Sequence, residues 1–228
     1  MIKLFNRVEK FIGLDNLEKI KNSTVMVVGL GGVGGYAVEG LIRSGISSII
    51  IVDYDIIDES NLNRQIITNQ TNIGKYKVDV MRDYILNINP NCKVISLNKK
   101  LDLDNVIELF EYSFDYLVDA NDTIAVKEEL IRICLEKNIK IISSMGTGNK
   151  IDISKLEIAN IWDTSYDPIA KRIRKYLKDR HIYKKVPVIY SKECNEKFSG
   201  SIPSMVFVPA VSGLMCANYV IKDIIGKK

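Results

Sequence analysis

The sequence predicts an α/β fold, a doubly wound and mostly parallel sheet with helices on both faces and a C-terminal extension. Three observations predict it. Short β-branched and apolar runs alternate with longer amphipathic stretches over the first two thirds of the 228 residues. The early runs are continuously apolar rather than alternating, as strands buried on both faces are. A glycine-rich segment, GLGGVGG at residues 29–35, stands between the first such run and a helical pattern.

The elements follow in order. Thr24–Val28 is an unbroken strand run. Residues 32–44 read as a helix with Val33, Tyr36, Ala37, Val38, Leu41 and Ile42 on its packing side. Residues 48–52 form a second strand ending at Asp53. Residues 75–86 are helical, stopped by Asn89-Pro90. A strand over 93–97, a short helix over 104–111, a strand at Tyr116–Asp119, a helix over 123–137 and a strand over 140–143 continue the alternation. After Met145-Gly146-Thr147-Gly148 the rhythm changes. Residues 156–161 and 186–190 read as strands, and residues 168–178 as a basic helix with Pro168 in its first turn. The apolar stretch 201–225 is long enough for a membrane span, but Pro203, Pro209, Ser212, Gly213 and Asn218 interrupt it. It is expected to be a buried strand or loop running into a core helix, with weak peripheral membrane contact as the alternative. One domain is expected over 1–228, with a nucleotide-binding half at 1–148 and a substrate-facing extension at 149–228.

Composition narrows the function classes. Hydrophobic residues make up 46% and charged residues 26%, which suits an ordered globular chain. Cys92, Cys134, Cys194 and Cys216 stand far apart and form no CxxC pair, so neither a zinc ribbon nor a dithiol redox motif is supported. The start, MIKLFNRVEKFIG, lacks the pattern of a signal peptide, and reduced thiols in the cytoplasm are expected. The net charge of +4 is uneven. From Lys171 to Lys192 there are nine Lys or Arg against one acid, Asp179. A concentrated basic segment on a mildly acidic body suggests one face for a polyanion, the plainer reading being a solvated helix.

The chemistry-bearing residues begin at Gly29-x-Gly31-x-x-Gly34, with Gly32 inside the motif. Between a strand and a helix this spacing is Rossmann-like: a tight turn, a backbone approach to phosphates, then close helix–strand packing. The N–H groups at the helix start favour an anion. Asp53 follows Gly34 by nineteen residues at a strand end, where a carboxylate accepts hydrogen bonds from ribose hydroxyls. NAD and ATP fit it equally. Asp55, two residues on, is either a site residue or a turn former. Asn61, Arg64 and Gln65 in SNLNRQ, Lys77 and Asp122 separate the two ligands. Arg64 and Lys77 suit triphosphate oxygens, and Asp122 at a strand end suits Mg²⁺. A nicotinamide site needs none of the three, and the one histidine, His181, lies in the basic segment, so an NAD-binding oxidoreductase stays as the remoter alternative.

GLGGVGG, DYDIIDESNLNRQ, IGKYKV and VDANDT together resemble the ATP-binding elements of the ubiquitin-activating-like adenylyltransferases, the HesA/MoeB/ThiF superfamily. The resemblance spans nearly the whole chain. It implies ribose binding by Asp53, phosphate binding by Asn61, Arg64 and Lys77, and Mg²⁺ on Asp122. It also implies a homodimer in which Arg7, from NRVEKFIG, is lent to the partner's ATP. The second half, from MGTGNKIDISKLEIANIWDTSYDPIAKRIRKYLK to GSIPSMVFVPAVSGLMCANYVI, is similar to the tRNA threonylcarbamoyladenosine dehydratases. Members that activate ubiquitin-like sulfur carriers usually carry paired zinc-binding CxxC motifs, and this chain has none. Adenylation of a sulfur-carrier C-terminus is therefore the second reading.

What the dehydratase resemblance implies is adenylation of the threonine carboxylate of the modified adenosine. Its own carbamoyl nitrogen then attacks, closing a ring with net loss of water. Aligned intramolecular attack has effective molarities of roughly 10⁵ M or more, so no enzyme nucleophile is required. The basic segment then fits tRNA through Arg172, Arg174, Lys175, Lys178, Lys184 and Lys185, with Lys171 and Arg180 beside them. Tyr176 and Tyr183 either stack on bases or pack. Related enzymes can carry a thioester-forming cysteine where Cys194 stands in SKECNEKFSG, with Lys192 and Lys197 nearby to favour a thiolate; an incidental loop thiol is the main expectation. A sulfur-transfer protein is a further partner the resemblance admits.

Overall fold

The computed structural model describes residues 4–194, 200 and 202–227. The chain opens with two short helices, α1 (Asn6–Ile12) and α2 (Leu14–Lys21), before β1 (Thr24–Val28). Then come α3 (Gly34–Ser44), β2 (Ser48–Asp53), α4 (Lys77–Ile88), β3 (Lys93–Asn98), β4 (Tyr116–Asp119), α5 (Ile124–Lys137) and β5 (Lys140–Ser144). The second half adds β6 (Leu156–Asn160), α6 (Pro168–Asp179), β7 (Pro187–Ser191) and the long α7 (Phe207–Ile224). The strands form one sheet in the order β3-β2-β1-β4-β5-β7-β6. All pairs are parallel except β6 against β7 at the edge.

Register matters for the site. Val28 lies level with Val52 on one side and Asp119 on the other. Gly29, Asp53 and Ala120 therefore leave the sheet side by side, at the carboxyl ends where open α/β sheets bind ligands. The sheet separates two cores. One joins α3, α4 and α7 to one face through Leu41, Ile42, Met81 and Val220. The other joins α5 and α6 to the opposite face through Leu130, Ile131, Ile173 and Leu177. β1, β2, β4 and β5 lie in the middle, and their apolar runs are almost wholly buried.

Several expected boundaries move, each for a local reason. The helix predicted from residue 32 starts at Gly34, because residues 29–33 are spent on the turn. The helix predicted from 75 starts at Lys77: Tyr76 is extended and bridges Ile56, and Lys75 closes a turn. The short helix predicted over 104–111 is a 3-10 turn at Val106–Glu111, since the Asp102 side chain accepts from the Asp104 and Asn105 N–H groups and delays its start. Asp167 caps α6 by accepting from Ala170 N, with Pro168 next in the first turn. The interrupted apolar stretch reaches α7, which packs tightly on α3: a Cβ on Gly213 would lie 2.2 Å from the Val33 carbonyl oxygen. No helix among the described residues is long and apolar enough to cross a membrane.

Candidate active site

A cleft of about 760 Å³ opens over the carboxyl ends of β1, β2, β4 and β5. Its phosphate-turn wall is built by close approach. Gly29 has φ +88°, and a Cβ there would lie 2.7 Å from the Ala120 carbonyl oxygen. A Cβ on Gly34 would lie 1.7 Å from the Gly29 carbonyl oxygen, so only glycine lets α3 start against the strand. Gly31 and Gly32 line the cleft itself.

Asp53 stands at the far side of the turn and stiffens it. Its Oδ2 accepts from Leu30 N at 2.6 Å and its Oδ1 from Asp55 N at 2.8 Å. Burial pushes the Asp53 carboxyl up from its ordinary value, with the positive charge of Lys77 and these N–H donors opposing. Asp55 turns out to be the clamp for Lys77: its carboxylate accepts from the buried Lys77 Nζ at 2.6 Å. That fixes the ammonium at the cleft wall, which Asp55 also lines. Asn61 is buried in a capping box with Asp58 at the start of a 3-10 turn. Arg64 donates Nη1 to the Ser60 carbonyl and to Asn63 Oδ1, which leaves Nε and Nη2 without a protein acceptor among the described residues. Both residues line the cleft.

Asp122 lies in the loop after β4, exposed and lining the same cleft. The loop rests on a buried network. Asp119 Oδ1 accepts from Asn121 N at 3.2 Å, and its Oδ2 accepts from Lys127 Nζ at 2.8 Å and Ser143 Oγ at 2.6 Å. Lys127 also donates to the Ser144 carbonyl at 3.0 Å and to Ser143 Oγ at 3.4 Å. The Ser144 hydroxyl meets Ser212 on α7 at 2.8 Å. The N-cap of α5 is Thr123, whose N–H goes to Asn121 Oδ1.

Gln65, already named in SNLNRQ, joins the cleft, and two further features, Asn121 and the Lys150–Asp167 pair, escaped the sequence reading as site elements. Gln65 Oε1 and Asn121 Nδ2, an acceptor and a donor, are buried and meet no partner among the described residues, and both residues line the cleft. Lys150 and Asp167 are buried together in the wall beyond β5, 3.4 Å apart. No spacing motif marks them; they meet only because the loop after β5 and the start of α6 fold over the same strand end.

The comparisons with known proteins fit this cleft. The ThiF family profile matches residues 5–228. The chain belongs to the ThiF family. A Bacillus subtilis relative named tRNA threonylcarbamoyladenosine dehydratase is 40% identical, over 99% of this chain and 96% of its own length. A second, tRNA threonylcarbamoyladenosine dehydratase 2 of Saccharomyces cerevisiae, is 38% identical over 83% of this chain and 43% of its own. The solved structure of the Escherichia coli tRNA N6-threonylcarbamoyladenosine dehydratase in complex with ATP superposes with a TM-score of 0.93 at 28% identity, covering 98% of this chain and 94% of that one.

Outside the cleft, this ThiF-family chain treats its expected site residues unequally. Arg7 is exposed on α1, a helix with no buried residue, and does not line the cleft of its own chain. In the basic segment, Arg174 donates to the Ile161 carbonyl at 3.2 Å and to the Thr164 hydroxyl, and Lys184 donates to the Leu135 carbonyl at 2.7 Å and to Asn138 Oδ1. Both cations serve the fold, Lys184 by closing the C-terminal end of α5. Lys184 nevertheless stays exposed and Arg174 half-buried. Arg172 pairs with Glu128 at 3.2 Å while staying exposed. Lys171, Lys175, Lys178 and Lys185 are exposed. Tyr176 packs under Arg180, 3.7 Å from its ring centre, and donates its hydroxyl to Glu129; Tyr183 is exposed beside Trp162. His181 is exposed and outside the cleft lining. Cys194 is exposed, while burial pushes the Cys92 thiol up to about 11 and the Cys216 thiol up to about 12. Lys197 lies outside the described residues.

Proposed function

We propose that this chain is an ATP-dependent dehydratase of threonylcarbamoyladenosine in tRNA, acting through an adenylate of the threonine carboxylate. The observation that carries the reading is one cleft holding a glycine turn, the Asp53 carboxylate at a strand end, a clamped Lys77 and a part-free Arg64 guanidinium. The relatives named above supply the substrate class.

The residues divide the work by position. The turn at Gly29–Gly34 and the N-terminus of α3 cradle phosphates, and Asp53 takes ribose hydroxyls. Lys77, held by Asp55, and Arg64, held at Ser60, place two cations where charge builds on the leaving pyrophosphate. The substrate carboxylate attacks the α-phosphorus, the bond to the β-phosphate breaks, and pyrophosphate leaves. The carbamoyl group of the same substrate then attacks the carbonyl carbon; AMP departs with the carboxylate oxygen and the attacking N–H proton goes to solvent. Asp122 is exposed and tied by no hydrogen bond or ion pair among the described residues, which fits Mg²⁺, an ion that needs one or two carboxylates besides phosphate oxygens. When bound, Mg²⁺ adds charge neutralisation at those oxygens. The exposed lysines of α6 and the following loop form the tRNA face, and Arg7, turned away from its own cleft, reads as a residue lent across a homodimer.

The test is chemical. The protein is incubated with ATP, Mg²⁺ and tRNA carrying the threonylcarbamoyl group, and the digested nucleosides are weighed. Loss of one water from that nucleoside with stoichiometric AMP is expected. No mass change, with pyrophosphate exchange driven instead by a small sulfur-carrier protein, would move the site to the second reading.

A further inference from the structure

We infer that Lys150 is the anchor for the carboxylate-bearing arm of the substrate. The inference rests on the adenylate-forming reading of the cleft and adds a residue and a direction of entry to it. Two buried lysines sit near the strand ends, and they differ in how well they are satisfied. The Lys127 ammonium has three acceptors for its three N–H donors, in Asp119, Ser143 and Ser144. Lys150 is equally hidden, its side chain 2% exposed. Among the described residues its ammonium has one acceptor, Asp167 Oδ2, at the long distance of 3.4 Å. Burying an ammonium costs several kcal/mol unless its donors are met. A fully met lysine belongs to the framework. One left with two donors in a cavity wall is set for an acceptor that arrives from outside.

Placement names the acceptor. Lys150 lines the nucleotide cleft and also a second cavity of about 380 Å³, and Asn149, Lys150 and Ser204 form the shared wall. The glycine turn, Asp53, Arg64 and Lys77 line only the first cavity. Asp167, the acceptor of the ammonium, lines only the nucleotide cleft, so an anion on the other substrate meets Lys150 there after passing the shared wall from the second cavity. The backbone around Lys150 is stiff enough for this. Asn149 N donates to the Pro203 carbonyl at 2.7 Å, and the Glu193 carboxylate accepts from Ile151 N and Asp152 N at 3.0–3.2 Å. Asp167 is held in turn as the cap of α6. Its carboxylate takes one donor of Lys150 at long range and leaves the others open, so the substrate carboxylate completes the set. As the carboxylate becomes an acyl phosphate ester, the same N–H donors stay on its carbonyl oxygen.

The experiment compares binding of two tRNAs, one carrying the threonylcarbamoyl group and one lacking it, to wild type, Lys150→Gln and Asp167→Asn. AMP affinity and thermal melting serve as controls. Wild type is expected to bind the modified tRNA more tightly. K150Q is expected to erase that difference by roughly tenfold or more, leaving the affinity for unmodified tRNA and AMP within about twofold. D167N keeps an acceptor for the helix cap and removes the competing charge, so it is expected to hold or strengthen the preference. Equal binding of the two tRNAs by wild type overturns the inference. So does K150Q that keeps the preference, K150Q that loses AMP affinity to the same degree, or D167N that fails as K150Q does. Should K150Q not fold, Lys150→Arg serves: it is expected to retain the preference, and its loss with AMP affinity intact overturns the anchor. Failure of the dehydration reading shows separately, as a wild type that makes no dehydrated nucleoside while its tRNA preference is measured.

Discussion

The strand-end cleft and the basic helix α6 carry positive charge by opposite logics. In the cleft, Lys77 and Arg64 are gripped by one or two protein acceptors at the wall, and the grip aims them. Along α6 and the loop after it, Arg174 and Lys184 spend their donors on backbone carbonyls and side chains, while Lys171, Lys175, Lys178 and Lys185 stand in solvent. A clamped cation in a cavity is positioned for a reaction. A clamped cation on the surface also serves the fold, and its unclamped neighbours are expected to carry more of any polyanion contact.

The sharpest way to break this contrast is at the cleft. Lys77→Ala and Asp122→Ala are each expected to lower AMP formation by about 10²–10³-fold or more, as loss of a preorganised charge at a leaving group does, while tRNA binding persists. Near-native turnover in either variant would remove the triphosphate assignment.

A second effect separates the two kinds of surface cation. Charge reversal at Lys171, Lys175, Lys178 and Lys185 is expected to weaken tRNA binding and flatten its salt dependence by about one unit of slope per lost phosphate contact. Arg174→Ala is expected to leave that slope unchanged and to lower the melting temperature. An R174A protein with native stability and a reduced slope would restore Arg174 to the polyanion face.

The smallest effect lies in the pH dependence of stability. Burial holds the Asp53 carboxyl above its ordinary value, so the folded chain binds that proton more tightly than the unfolded chain does. The stability this proton contributes is full below the ordinary carboxylate range and is lost as pH rises through the raised value. The melting temperature of wild type minus that of Asp53→Asn is expected to be lower at about pH 7 than at about pH 4. A difference that grows with pH would mean that Asp53 is stabilised as the anion.

Legibility in the sequence followed the range of the forces. The parallel core was readable because β1, β2 and β4 are short, continuous apolar runs, and burial on both faces needs little else. Gly29, Gly34 and Asp53 were readable because their spacing across one strand–helix–strand unit is a recurrent pattern, even though Asp53 meets Leu30 across 23 positions. α1 went unread, since its apolar residues Val8, Phe11 and Ile12 span little more than one turn and none is buried. The role of Asp55, the internal use of Arg174 and the pairing of Lys150 with Asp167 depend on groups brought together across 22, 13 and 17 positions with no repeating pattern. Such contacts are set by how loops close over the sheet, which no local period encodes.

The contact of α7 with the phosphate turn bears on timing. Gly213 touches the backbone of Val33, and Pro209 lies 3.1 Å from where a Gly32 Cβ would be, so the turn's outer side is made by residues far along the chain. During synthesis the glycine motif leaves the ribosome early and waits, its seat missing, until α7 has emerged. A nascent or prematurely terminated chain thus carries the whole nucleotide motif and lacks the surface that shapes it. A fragment that ends before α7 is therefore expected to hold the turn loosely and to bind nucleotide weakly.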